Sequence, residues 1–186
     1  MVSLGALWLP VLLSAVLVFV ASSIIHMVLR YHSSDYTPLP NEDAVRQAIR
    51  GVNPAPRQYI FPYATDPKAM QSPELQKKFA EGPVGVLTLR RPGPPGMGMN
   101  LIQWFVFTLV VSFFIAYVAR HALGAGTEYL RVFQLVGAVG FLAYAAGQLP
   151  AAIWMGKPWS IAWKEVLDGL IYGLLTAGTF GWLWPR

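Results

Sequence analysis

The sequence predicts an all-α polytopic membrane protein, a four-transmembrane-helix antiparallel bundle with a long, partly ordered loop between helices 1 and 2. Three observations carry this reading. Hydrophobic residues make up 55% and charged residues 12% of the 186 positions, with a mean hydropathy of +0.46; soluble domains carry about 25% charged residues. The uncharged residues gather in four apolar stretches, each near the roughly 20 residues that a helix needs to cross a bilayer. Finally, 11 of the 15 prolines and nine of the 14 Lys and Arg residues fall in one segment between the first two stretches.

The chain divides accordingly into transmembrane helix 1 (1–29), a membrane-surface loop or cap with short helices (30–100), and a three-helix transmembrane hairpin (101–186). The first run, Leu4 to Leu29, has no Lys or Arg ahead of it, and its first charge, Arg30, follows it. A cleaved signal peptide has a basic start and a short apolar core, so this run is expected to be a retained anchor. Pro10 falls in its first turns, where a missing amide is best tolerated, and Ser14, Ser22 and Ser23 are small enough for helix contacts.

The prolines of 30–100 exclude one long helix. Asn41 before EDAVRQAIRG predicts a capped helix stopped by Gly51, and Ser72-Pro73-Glu74 before LQKKFAEG predicts a second one ended by Gly82. Residues 85–90 read as a short strand with few partners. Tyr31, Tyr36, Tyr59, Phe61, Tyr63 and Phe79 make the segment too aromatic for a flexible linker.

The remaining spans lie at about 101–119, 131–149 and 160–184, with short connections that make them antiparallel neighbours. All seven tryptophans fall near predicted span ends, where indole prefers the membrane interface. Arg30, Arg46, Arg90, Arg91, Lys157 and Lys164 flank the spans on the side of the long loop, against Arg120, Arg131 and Arg186 on the other. The excess predicts a cytoplasmic loop and both termini outside.

Polar residues inside the spans are where a function would sit. At 100° per residue, Glu165, Asp168, Tyr172, Thr176 and Thr179 share one stripe, roughly 80° wide, on the last helix. Beside it runs a small-residue row, Gly169, Gly173, Ala177 and Gly181, which permits close backbone approach within the bundle or between molecules. Gln134, Gly137, Phe141, Tyr144 and Gln148 form a stripe on the third helix, and Thr108, Ser112 and Ala119 share a face of the second. These faces are expected to turn inward, with Gln148 and Tyr144 at the depth of Glu165 and Asp168. The candidate intramembrane site is therefore Glu165, Asp168, Tyr172, Thr176, Gln134, Tyr144 and Gln148. Such residues either join helices by hydrogen bonds or mark an ion path or pocket.

A second cluster lies at the loop-side end of helix 1. His26, His32 and Asp35, with Met97 and Met99, could hold a metal, the thioethers favouring Cu(I). Otherwise His26 is a hydrogen-bonded interfacial residue. No cofactor is expected. Without cysteine there is no thiolate zinc site, iron–sulfur cluster or c-type haem, and no two histidines share a depth on facing spans as a b-type haem requires. No nucleophile, phosphate loop or HExxH pattern accompanies Glu165 and Asp168, so no catalytic residue is assigned. The net charge of +5 is scattered and suits anionic lipid; nucleic acid is not an expected partner.

The phrases GPVGVLTLRRPGPPGMGMN, AYAAGQLPAAIW and DGLIYGLLTAGTFGWLWP resemble a family of small bacterial multi-spanning membrane proteins with no assigned function. The resemblance implies a bacterial cytoplasmic membrane and no catalytic residues. The favoured reading is a non-enzymatic accessory or structural membrane subunit, with the bilayer and a homo-oligomer or membrane complex as partners. The alternatives are a small oligomeric transporter or channel using the stripes of helices 3 and 4, and a membrane-embedded enzyme or metal-binding protein.

Overall fold

The first apolar stretch folds as one helical run with three windings, in the computed structural model that describes residues 2–186. A 3₁₀ turn, Leu4–Leu7, opens on Ser3, whose hydroxyl accepts the Ala6 amide. Helix α1, Trp8–Ser23, follows, and Ile24–Val28 widens into a π turn closed by the Leu29 amide on the Ile24 carbonyl. Arg30 then adopts the left-handed conformation (φ 53°), an uncommon state for a residue with a Cβ. It reverses the chain into a second 3₁₀ turn, Tyr31–Ser34.

Residues 36–94 and 153–156 form a compact unit of their own. It holds α2 (Glu42–Val52), β1 (Gln58–Phe61), α3 (Pro73–Glu81) and β2 (Gly85–Thr88). Ser72 caps α3 by accepting the Leu75 amide, and Gly82 ends it with a positive φ. The start and stop of α2 differ from expectation. Asn41 makes no side-chain cap and instead takes a left-handed backbone, and Gly51 lies inside the helix while Asn53 (φ 50°) ends it. Asparagine tolerates that conformation well enough to replace glycine. The 85–88 strand does have a partner: β1 and β2 pair antiparallel with Gln58 opposite Thr88 and Phe61 opposite Gly85.

The other unit comprises the chain through Asp35, Pro95–Ala152 and Lys157–Arg186. Its helices are α1, α4 (Met97–Ala122), α5 (Tyr129–Tyr144) and α7 (Trp159–Trp182), with the first four residues of α6 (Leu149–Met155) between the last two. The chain is mostly helical, at 69%, so the all-α class holds, with the two-strand ladder its only sheet among the described residues. Three runs are long and apolar enough to cross a membrane: Leu4–Val28, Met97–Ala122 and Tyr129–Met155. Helix α7 matches them in length but carries Lys164, Glu165 and Asp168 among glycines and threonines.

Two helix ends depart from expectation. Met97-Gly98-Met99 is the first turn of α4 rather than a loop, so the helix begins four residues before Leu101. Pro150 does not stop the third stretch. The α-winding ends at Tyr144, a 3₁₀ turn spans Ala146–Gln148, and Pro150 sits in the first turn of α6, where its missing amide costs no bond.

The cross-helix pairs set the directions. Ser14 meets Ser112 and Ser22 meets Trp104, so α1 and α4 run antiparallel. Tyr129 lies at Gly181, Gly137 at Ala177, Gly140 at Gly173 and Ala145 at Gly169, so α5 and α7 do too. Helix α7 packs most heavily on α5 and next on α1. Its glycine row is thus consumed inside the bundle: a Cβ on Gly173 would stand 2.9 Å from the Phe141 amide nitrogen. The core is closed by Leu7, Val18, Ile115, Val132, Val136 and Phe180.

Candidate functional site

The site grows from one carboxylate. Asp168 projects from the third turn of α7 into protein: its side chain is 5% exposed, and its neighbour Gly169 lets α5 come close enough to cover it. A charge so placed needs partners. Asp168 Oδ2 lies 2.9 Å from Nε2 of His32 and 3.8 Å from Nε2 of His26. Its other oxygen, Oδ1, is buried without a hydrogen-bond partner.

The π turn of residues 24–28 and the reversal at Arg30 bring the two histidines together. Their rings stack with centroids 4.5 Å apart and planes 4° from parallel. Each ring also uses Nδ1. In His26 it lies 3.0 Å from the Ser22 carbonyl oxygen, which can only accept, so His26 Nδ1 carries the hydrogen. In His32 it lies 2.5 Å from Oδ2 of Asp35. Asp35 Oδ1 accepts from Lys164 Nζ at 2.5 Å, and the same ammonium donates to the Tyr31 carbonyl and the Ser34 hydroxyl at 2.7 and 2.9 Å. Lys164 therefore fastens the Tyr31–Ser34 turn to α7. Burial acts to raise the Asp35 carboxyl, but the hydrogen bonds and charges of Lys164 and His32 outweigh it and hold the group below its usual 3.8.

Beside this chain of contacts lies a cavity of about 520 Å³ between α1, α4, α5 and α7. This is within the size range of small-molecule sites. Asp168, His26, Tyr172, Tyr144, Gln148 and Glu165 supply its polar wall, and Met27, Leu101, Trp104 and Phe107 the apolar one. The Tyr144 and Tyr172 hydroxyls, like Asp168 Oδ1, are buried with no hydrogen-bond partner.

Of the residues singled out from sequence, Glu165, Asp168, Tyr172, Tyr144 and Gln148 line this one cavity, joined by His26 and Met97. His32 and Asp35 extend the same cluster from Asp168. The two candidate groups, taken as separate in the sequence, are thus contiguous. Three residues lie elsewhere. Gln134 is exposed rather than turned inward as expected: it is ten residues from Tyr144, about 15 Å along a helix, and borders a smaller hollow with Arg131 and Leu135. Thr176 is buried and bonds to the Tyr172 carbonyl one turn back. Met99 is 60% exposed and lines neither hollow.

The ion pairs join separate elements. Lys164 pairs with Asp35 rather than with the acids of its own helix, and Glu165 pairs with Lys157. Helical spacing favours neighbours three or four apart, and only the reversal at Arg30 brings Asp35 within reach. Trp104 and Ser22, which meet at 2.8 Å on the cavity wall, were not singled out as site residues; Trp104 read as an interfacial anchor because the start of α4 was placed too late.

No family model, curated protein or solved structure matches the chain. The arrangement of side chains is therefore the ground for a functional reading.

Proposed function

We propose that the chain is an integral membrane protein of four crossings, formed by α1, α4, the Tyr129–Met155 run and α7, that holds a small amphiphilic molecule in the cavity beside Asp168. Its role is that of a non-enzymatic binding or accessory subunit. The observation that carries this reading is Asp168, a buried acid that lines a largely apolar cavity and whose Oδ1 has no hydrogen-bond partner. Buried polar groups are nearly always satisfied, and a donor-bearing head group with an apolar tail would satisfy this one together with the two tyrosine hydroxyls.

The fourth crossing is supported by the depth at which α7 is packed. Asp168, Tyr172, Thr176 and Thr179 are buried, while Leu167, Leu170 and Leu174 are exposed on its outer side. The excess of Lys and Arg on the loop side supports a cytoplasmic loop. The internal use of the glycine row speaks against a self-associating unit built on that row.

Analysis of molecules that co-purify with the protein tests the reading. Wild type should retain a defined amphiphile, and Ala143→Trp, which fills the cavity from α5, should lose it while keeping its helical content. Equal retention by both, or none by wild type, overturns the proposal.

A further inference from the structure

We propose that Nε2 of His26, Nε2 of His32 and a carboxylate oxygen of Asp168 bind a divalent first-row transition-metal ion, of which Zn²⁺ is the probe. This goes beyond the cavity reading and is measured with metal alone, so either can fail without the other.

The three ligand atoms all lie within 4.8 Å of one another. Tetrahedral zinc with bonds of about 2.0–2.1 Å sets its ligands roughly 3.3 Å apart. The His32–Asp168 pair, hydrogen-bonded at 2.9 Å, opens by a few tenths of an ångström to reach that spacing, and the His26–Asp168 distance of 3.8 Å closes with a small tilt of one ring. His26 is the ring able to tilt, since its side chain is 51% exposed while that of His32 is 13% exposed. The tilt also breaks the parallel stacking that keeps the two lone pairs from converging.

The hydrogen bonds around the rings point the same way. A metal-binding histidine characteristically donates its other ring N–H to a carbonyl or carboxylate, which fixes the tautomer and the ring orientation. Both rings have that arrangement: His26 Nδ1 on the Ser22 carbonyl, and His32 Nδ1 on Asp35, itself anchored by Lys164. With Nδ1 of His26 engaged by the Ser22 carbonyl, Nε2 is the ring nitrogen turned toward the Asp168 carboxylate.

Two imidazoles and a carboxylate suit zinc or ferrous iron better than calcium or magnesium, which take oxygen sets, or Cu(I), which favours thioethers. Three protein ligands leave further coordination positions for water or a bound molecule.

Stripped full-length protein in detergent should take up one Zn²⁺ per chain in a chelator competition. His32→Ala and Asp168→Asn should each weaken binding at least tenfold, and His26→Ala likewise. Asp35→Asn, which keeps every ligand but removes the charged acceptor behind His32, should weaken it about 10- to 100-fold at unchanged stoichiometry. His121→Ala, at the far end of α4, should match wild type. Co²⁺ added to the unaltered chain provides a readout that needs no variant: intense visible bands of four- or five-coordinate cobalt are expected. A spectrum of hydrated cobalt, no zinc uptake by wild type, or triple His26→Ala/His32→Ala/Asp168→Asn protein that is folded and binds as wild type does would each overturn the assignment.

Discussion

Gly169 on α7 lies against Ala145 so closely that a Cβ added to it would stand 2.7 Å from the Ala145 nitrogen, Cα and Cβ. Backbone on the facing side cannot swing away as a long side chain would. Gly169→Ala should therefore force α5 and α7 apart and destabilise the bundle by about 1–3 kcal/mol. Gly178→Ala, whose Cβ would meet only the Tyr129 hydroxyl at 3.8 Å, should be neutral or slightly stabilising. Unfolding in mixed detergent compares the two, and equal stability would mean that the α5–α7 seam is not as tight as described.

Ser14 and Ser112 share a buried hydrogen bond at 3.1 Å between α1 and α4. Such bonds between membrane helices contribute about 0.6 kcal/mol on average. A double-mutant cycle with Ser14→Ala and Ser112→Ala should return a coupling of that order. A coupling indistinguishable from zero would show that the pair only fills space.

Lys157 Nζ contacts both carboxylate oxygens of Glu165, with each side chain about a quarter exposed. Partial solvent access limits the pair to at most about 1 kcal/mol. Glu165→Gln should cost little stability, and the exchange Lys157→Glu with Glu165→Lys should recover most of what either single reversal loses. Stability curves of the four proteins decide it, and an exchange no better than the single reversals would argue against direct pairing.

The chain contains no cysteine, so single introduced cysteines report topology without background. With four crossings, Ala125→Cys and Arg186→Cys should react with an impermeant maleimide on intact cells, and Thr65→Cys only after permeabilisation. Labelling of Arg186→Cys together with Thr65→Cys would leave three crossings.

The sequence makes the apolar runs and their inward polar faces legible because membrane length and helical period constrain them independently of partners. Asp168, Tyr172, Thr176 and Thr108 are buried where those faces place them. What it does not reveal depends on single backbone events. A left-handed Arg30 and a π turn at residues 24–28 fold His32 onto Asp168, and neither has a local signature in these residue types. The early start of α4 likewise moved Trp104 from its expected setting. The pairing of β1 with β2 was missed because QYIF is short and flanked by prolines.

Helix α7 bears on how the molecule is made. It is the long helix least suited to enter lipid unaided, and the imidazole that meets its acid lies 136 residues ahead in the chain. The ribosome therefore delivers α1, α4 and α5 before α7 emerges. On the proposed topology of four crossings, the first three wait in the bilayer as a receiving wall, so that the insertion machinery releases α7 into protein rather than fat.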